Sequence, residues 1–222
     1  MILAKIPISV ISEWMCLIAS ILLFKTMRAS FWRYFLPYLS IMVAIETYGL
    51  INRLLELKID TQWLYNIFML IYITFHLYIF FNIVKLKFIK EICLTCFLLL
   101  MIAYALEWYN VGLHRFFTTS NTLFSGVTIS LCILYYYSFL KKPEATDILK
   151  EPAFWFVSGC LLFYTTTTVF IAFLNQITDV EINNIIVARG IVMGVLNLLM
   201  YGCWIKSFIC LYKTQASSRE FY

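Results

Sequence analysis

Charged side chains are scarce in this sequence: they make up 13% of its 222 residues, against about a quarter in a soluble domain. With 63% apolar residues and a mean hydropathy of +0.86, the chain has too little polar surface to cover itself in water, and a soluble globule of this composition would expose large apolar patches. That points to an integral membrane protein. Glycine and proline are also sparse, at seven and four, so long helices meet few interruptions. The alternating stretches of about ten residues that a transmembrane barrel needs do not occur. Histidine appears twice, as His76 and His114, which excludes a three-histidine zinc hydrolase built from ordinary ligands. GxSxG, HExxH and a Gly-rich phosphate loop are missing, so no hydrolase elbow, zincin helix or nucleotide fold is expected. Neither a cofactor nor a metal is expected, no residue is assigned a catalytic role, and the reading leans away from an enzyme.

Seven apolar runs of about 18 to 23 residues, near 6–24, 34–55, 63–84, 88–107, 121–140, 153–174 and 185–207, are each long enough to cross about 30 Å as a helix. The expected fold is all-α: one seven-helix transmembrane bundle over 1–211, with a short cytoplasmic tail over 212–222. The first run has no basic segment before it and no small-x-small cleavage site, so it reads as a retained span. With the N-terminus outside, the cytoplasmic side receives twelve Lys and Arg residues, including Lys25, Arg28, Arg33, Lys85, Lys87 and Lys90. The other side receives five: Lys5, Arg53, Lys58, Arg115 and Arg189. This bias follows the positive-inside rule. The net charge of +5 is then an orientation signal, and nucleic acid is not an expected partner. Trp32, Trp63, Trp108, Trp155 and Trp204 fall near the expected helix ends, where an interfacial belt would lie.

The seven cysteines sit within or at the ends of these runs, so an extracellular structural disulfide is not expected. Cys93 and Cys96 form a CxxC, without a second pair or a histidine nearby in sequence. They read as small packing residues.

Ionisable groups inside the runs are costly, by about 2.5 to 3.5 kcal/mol on insertion scales, and they define the candidate site. Ser9, Glu13, Cys16 and Ser20 form one stripe of the first helix. Glu46, Gly49 and Arg53 share a face of the second. Tyr72 and His76 are one turn apart on the third; Tyr104 and Glu107 lie at the outer end of the fourth. Gly190, Gly194, Asn197 and Tyr201 form a stripe of the seventh, with Arg189 about one turn inside. The candidate ligand-binding or coupling residues are therefore Glu13, Glu46, Tyr72, His76, Tyr104, Glu107, Arg189 and Asn197. Counting depth from the run ends puts Glu46 and His76 within about one turn of each other, which predicts a contact from Glu46 to Tyr72 or His76. Arg189 is expected to pair with Glu13, Glu46 or Glu107. Simpler roles compete: snorkelling for Arg53 and Glu107, a structural carboxyl for Glu46, a satisfied core histidine for His76, and helix packing for the glycines. The run Thr165 to Thr168 can satisfy its own helix carbonyls.

The stretches "AIETYG", "WLYNIFMLIYITFHLYIFF" and "EPAFWFVSGCLLFYTT" together resemble a group of uncharacterised bacterial seven-helix membrane proteins. The resemblance covers most of the chain, implies a bacterial inner-membrane location, and carries no activity with it. Three functional classes follow from the residues. The first is a receptor-like or signalling module that binds a small molecule in its outer half. Because its loops hold about a dozen residues at most, such a module would act through a cytoplasmic signalling partner. The second is a small-molecule or proton-coupled transporter using Glu46 and His76, which needs a path through an inner half supplied only with Asn82, Ser138 and Tyr135 to Tyr137. The third is a lipid-active membrane enzyme. Membrane lipids are expected partners in every case.

Overall fold

The computed structural model describes the backbone of residues 6–28, 30–57, 59–141, 147–174 and 182–219, and the side chains of these apart from 171–174, 182–189 and 216–219. The helices are α1 (Ile8–Leu22), α2 (Phe24–Met27), α3 (Phe35–Leu54), α4 (Gln62–Ile83), α5 (Ile89–Val111), α6 (Thr118–Leu140), α7 (Pro152–Leu174) and α8 (Ile182–Arg219). Short 3-10 turns at Phe31–Tyr34 and Ile148–Lys150 precede α3 and α7. No strand occurs among the described residues.

Six helical stretches are long and apolar enough to cross a membrane among the described residues: Phe31–Leu54, Gln62–Ile83, Ile89–Val111, Thr118–Leu140, Pro152–Phe170 and Gly190–Gln215. The chain is a multi-pass helical membrane protein. Its first apolar run differs from the expectation. Pro7 caps α1 in an extended conformation, and the helix ends at Leu22, where Leu23 turns out of helical geometry. The resulting 15 residues rise about 22 Å, short of the hydrocarbon thickness. The last run departs in the opposite direction. Residues 208–219 contain no Gly or Pro, so α8 continues to Arg219 for 38 residues, and residues 212–219 of the expected tail are helical. Gln215 anchors it by donating to the Thr26 carbonyl at 3.0 Å.

Large apolar side chains lie on the outside as well as in the core, and small polar ones are buried among them. Leu98, Leu99, Ile102 and Leu106 of α5 are exposed, while Ser12, Ser20, Asn66, His76, Ser120, Thr128 and Ser207 are buried. Several buried or half-buried hydroxyls return their hydrogens to nearby carbonyls of their own helix, as Ser12 does to Ser9 (2.7 Å), Thr128 to Phe124 (2.9 Å) and Thr165 to Leu161. In hydrocarbon this is how such a group avoids going unsatisfied. Trp63 and Trp108 are exposed as a belt requires, but Trp32 and Trp204 are buried in packing. All seven cysteines are free thiols.

The chain folds as two compact units, Met1–Met27 with Thr146–Tyr222, and Arg28–Ala145. In the first, α8 is the common partner of α1, α2 and α7. The polar stripe of α1 is turned inward, with Glu13, Cys16 and Ser20 buried. Ser207 ties α8 to the start of α7 by donating to the Pro152 carbonyl at 2.7 Å. Gly159 lets α7 and α8 close on each other: a Cβ there would lie 2.9 Å from Cys203 Cβ and 3.1 Å from the Met200 carbonyl oxygen. In the second unit α4 is central, packing on α3, α5 and α6.

Gly159→Ala should lower the thermal midpoint of detergent-purified protein, with a cost of about 1 to 3 kcal/mol for forcing two tightly packed backbones apart. Gly202→Ala, where a Cβ meets nothing within 4 Å, should leave it unchanged. Equal midpoints for the two variants would contradict the close approach.

Candidate functional site

A hydrogen-bonded network of the unit Arg28–Ala145 forms at the end where α3 hands over to α4 and α5 to α6. The α3–α4 connection is shaped by Glu56, whose φ of 52° is left-handed and costs a non-glycine residue about 1 kcal/mol or more. The turn brings Ile59 back to Asn52, whose side-chain amide donates to the Ile59 carbonyl at 2.6 Å and accepts from its N–H at 3.2 Å. Asp60 accepts from the Gln62 N–H at 2.9 Å and meets His114 Nδ1 at 2.5 Å, linking this loop to the α5–α6 loop. The Gln62 N–H foremost, and His114 after it, hold the Asp60 carboxyl below its ordinary range. A depressed folded value means that the tie is fully present above about pH 4, the unfolded value, and is lost as pH falls through the folded one.

The α5–α6 loop is held from inside by Asn66, 1% exposed on α4. Its amide donates to the Leu113 and Arg115 carbonyls at 2.7 and 2.8 Å and accepts from the Phe117 N–H at 3.3 Å. Gly112, at φ 76°, lets the chain leave α5 at this point. Glu107 then starts α6. One carboxylate oxygen accepts from the Thr119 N–H at 3.0 Å, and the other accepts from the Ser120 N–H at 2.8 Å and the Ser120 hydroxyl at 2.7 Å. An acidic group on these N–H donors offsets the helix dipole and two of the donors α6 cannot satisfy itself. Glu107 therefore does not snorkel: it is a buried cap. Tyr104, one turn earlier, is buried against Phe117 at 5.1 Å between ring centroids.

A cleft of about 660 Å³ opens at this end, lined by Gly49, Asn52, Arg53, Glu56, Thr61, Gln62, Tyr65 and Phe116. The half-buried Glu46 accepts a hydrogen bond from the hydroxyl of the cleft-lining Tyr65 at 3.3 Å. Gly49 makes room for that hydroxyl, since a Cβ there would sit 2.6 Å from it. The shared face of Glu46, Gly49 and Arg53 is thus turned towards Tyr65 and the cleft.

The expected contact of Glu46 with Tyr72 or His76 is replaced by this one. The reason is register. Tyr34 meets Tyr78 at 5.1 Å and Tyr38 stacks on Phe75 at 3.9 Å, so α3 and α4 run antiparallel with His76 level with Tyr38. Glu46 is eight residues further along α3, about 12 Å away along the axis. His76 is 1% exposed and enclosed by rings: Tyr72 at 4.4 Å, Phe124 at 5.4 Å, Phe75 at 5.5 Å and Tyr38 at 6.1 Å. Its Nδ1 lies 3.0 Å from the Tyr72 carbonyl oxygen. Phe68 extends this aromatic layer, stacking on Tyr38 at 5.9 Å.

Glu13 and Asn197 belong to the other unit. Glu13 is buried, and Asn197 donates to the Met193 carbonyl of its own helix at 2.8 Å. The side chain of Arg189, and with it the expected ion pair, lies outside the described residues. Sequence reading passed over Tyr65, Asn66, Glu56 and Gln62. Asn66 left a signal, an isolated amide in the apolar stretch "LYNIF"; Tyr65 left none without the hairpin register. Among the described residues no group of three or more His, Cys, Asp and Glu side chains is placed to hold a metal.

No protein-family model matches the chain, and neither a curated protein nor a solved structure is significantly similar to it.

Asn66→Leu should destabilise the purified protein by about 1 to 3 kcal/mol by stranding two carbonyls and an N–H of the α5–α6 loop, read as a drop in thermal midpoint. An unchanged midpoint would show that the loop holds itself.

Proposed function

We propose that the protein is a receptor-like or signalling module that binds a small polar ligand in the cleft beside Tyr65 and acts through a cytoplasmic partner. In this reading the chain crosses a bacterial inner membrane seven times, α1 and α2 together (Ile8–Met27, about 30 Å at the helical rise) making the first crossing, as a member of the seven-helix group that its sequence resembles, with the N-terminus outside. The cleft then faces outward. The observation that carries the proposal is a polar cleft above a packed aromatic layer. Arg53 can take an anionic group, and the Glu56 carboxylate an ammonium, while the Gln62 amide and the Thr61 and Tyr65 hydroxyls offer hydrogen bonds and Phe116 an apolar wall. That set suits a zwitterion such as an amino acid. Glu46 holds Tyr65 from behind.

The layer of Tyr38, Phe68, Tyr72, Phe75, His76 and Phe124 weighs against the transporter alternative. That reading needs Glu46 and His76 to lie on one wet path, whereas they are about 12 Å apart along the helices and His76 is walled in by rings.

The test is a thermal-shift screen of detergent-purified protein against the common amino acids at millimolar concentration. At least one should raise the midpoint, and Arg53→Gln should abolish that shift. Glu46→Gln should keep the unliganded midpoint, because the amide oxygen can still accept from Tyr65, but should weaken the response. The proposal fails if no amino acid shifts the wild type, or if Arg53→Gln responds as the wild type does.

A further inference from the structure

A second cavity, of about 580 Å³, lies between α3 and α4 away from the polar cleft, and its walls are almost wholly apolar. It exists because two small residues, Pro37 and Thr74, sit among bulky neighbours. Tyr34, Ile41, Ile71 and Tyr78 form its exposed rim, and the buried stacked pair Tyr38 and Phe75 forms its floor. The Thr74 hydroxyl is committed to the Leu70 carbonyl at 2.7 Å, so the groove makes no polar demand there. It runs from Tyr34, the last residue of the 3-10 turn, along α3 to Ile41, about 10 Å at the helical rise.

Chemistry changes at the Tyr34 end. Arg33 donates through Nη2 to the Tyr34 hydroxyl at 2.9 Å, and its guanidinium lies 4.8 Å from the centre of that ring. A guanidinium has five donors in a planar fork suited to phosphate. Neither ion pair found among the described residues, Asp60 with His114 and Asp147 with Lys150, involves it. Lys90 adds charge at the same end, its Nζ 5.8 Å from the ring centre of Phe81, one turn beyond Tyr78 on α4. We propose that this groove holds an acyl chain of an anionic phospholipid, with the headgroup phosphate on Arg33.

The groove alone would accept any acyl chain, and Arg33 alone any phosphate; their adjacency selects a molecule with both. A second copy of the chain fits less well, because helices that pack together in lipid present small residues, whereas this rim is bulky and half aromatic. The site is separate from the polar cleft and does not depend on what that cleft binds.

The test uses the full chain in neutral detergent, exposed to mixed micelles containing equal amounts of phosphatidylglycerol and phosphatidylcholine, with retained lipid counted by native mass spectrometry. The wild type should retain phosphatidylglycerol preferentially, by roughly five-fold for one interfacial arginine. Arg33→Gln should bring the ratio close to one while lipid is still retained. Thr74→Trp, which fills the groove, should reduce retention of both lipids; if it does not elute as a folded species, Ile71→Trp at the rim serves the same purpose. Equal retention of the two lipids by the wild type overturns the proposal. So does unchanged retention in the folded tryptophan variant, stabilisation by inorganic phosphate equal to that by phosphatidylglycerol, or an Ile71→Cys variant that cross-links two copies through the groove.

Discussion

Hydrocarbon offers no hydrogen bonds, and the rest of this structure depends on that constraint. Every N–H, carbonyl and polar side chain within the bilayer must find its partner in the chain itself. Continuous helices solve the problem for the backbone, and short side chains solve it locally by bonding back to their own helix, as Ser12, Thr128 and Thr165 do. What remains are the helix ends and the longer polar groups, and these solve each other. Glu107 needs donors and the start of α6 needs an acceptor. Asn66 and the α5–α6 loop stand in the same relation.

Because polar groups gather where helices end, the unit Arg28–Ala145 has a graded interior. Its polar end carries the cleft and the network through Asn52, Asp60, Asn66 and Glu107. Deeper in, the interior becomes rings, with Tyr38 flat on Phe75 and His76 enclosed. Polar networks with fixed geometry confer specificity when every member is satisfied, and packed aromatics exclude water.

The spans themselves were legible, because solvent dictates their length and composition: the ends of α3, α4 and α7 lie within a residue or so of where the apolar runs stop. The exceptions have local causes. Pro7 delays α1, and the absence of any breaker after Phe208 prolongs α8. The polar residues of the site were legible as individuals, since a carboxylate in an apolar run is conspicuous, but their partnerships were not. Pairing Glu46 with Tyr65 requires the register of an antiparallel hairpin, and that register is set by the left-handed turn at Glu56, which nothing in the composition of "LLELKID" announces. Glu107 was misread for a related reason. Its position near a helix end suits snorkelling equally well until the next helix is known to begin at Thr118, within its reach.

Aqueous access along α4 tests the account most directly. In a background whose native cysteines are replaced, single cysteines at Thr61, Gln62, Tyr72 and His76 would be challenged in intact cells with a membrane-impermeant maleimide. The account predicts labelling at Thr61 and Gln62 and none at Tyr72 or His76, including when inverted membranes present the opposite side. Labelling at His76 from either side would mean that water passes the aromatic layer, and would contradict the enclosure of His76 by its rings.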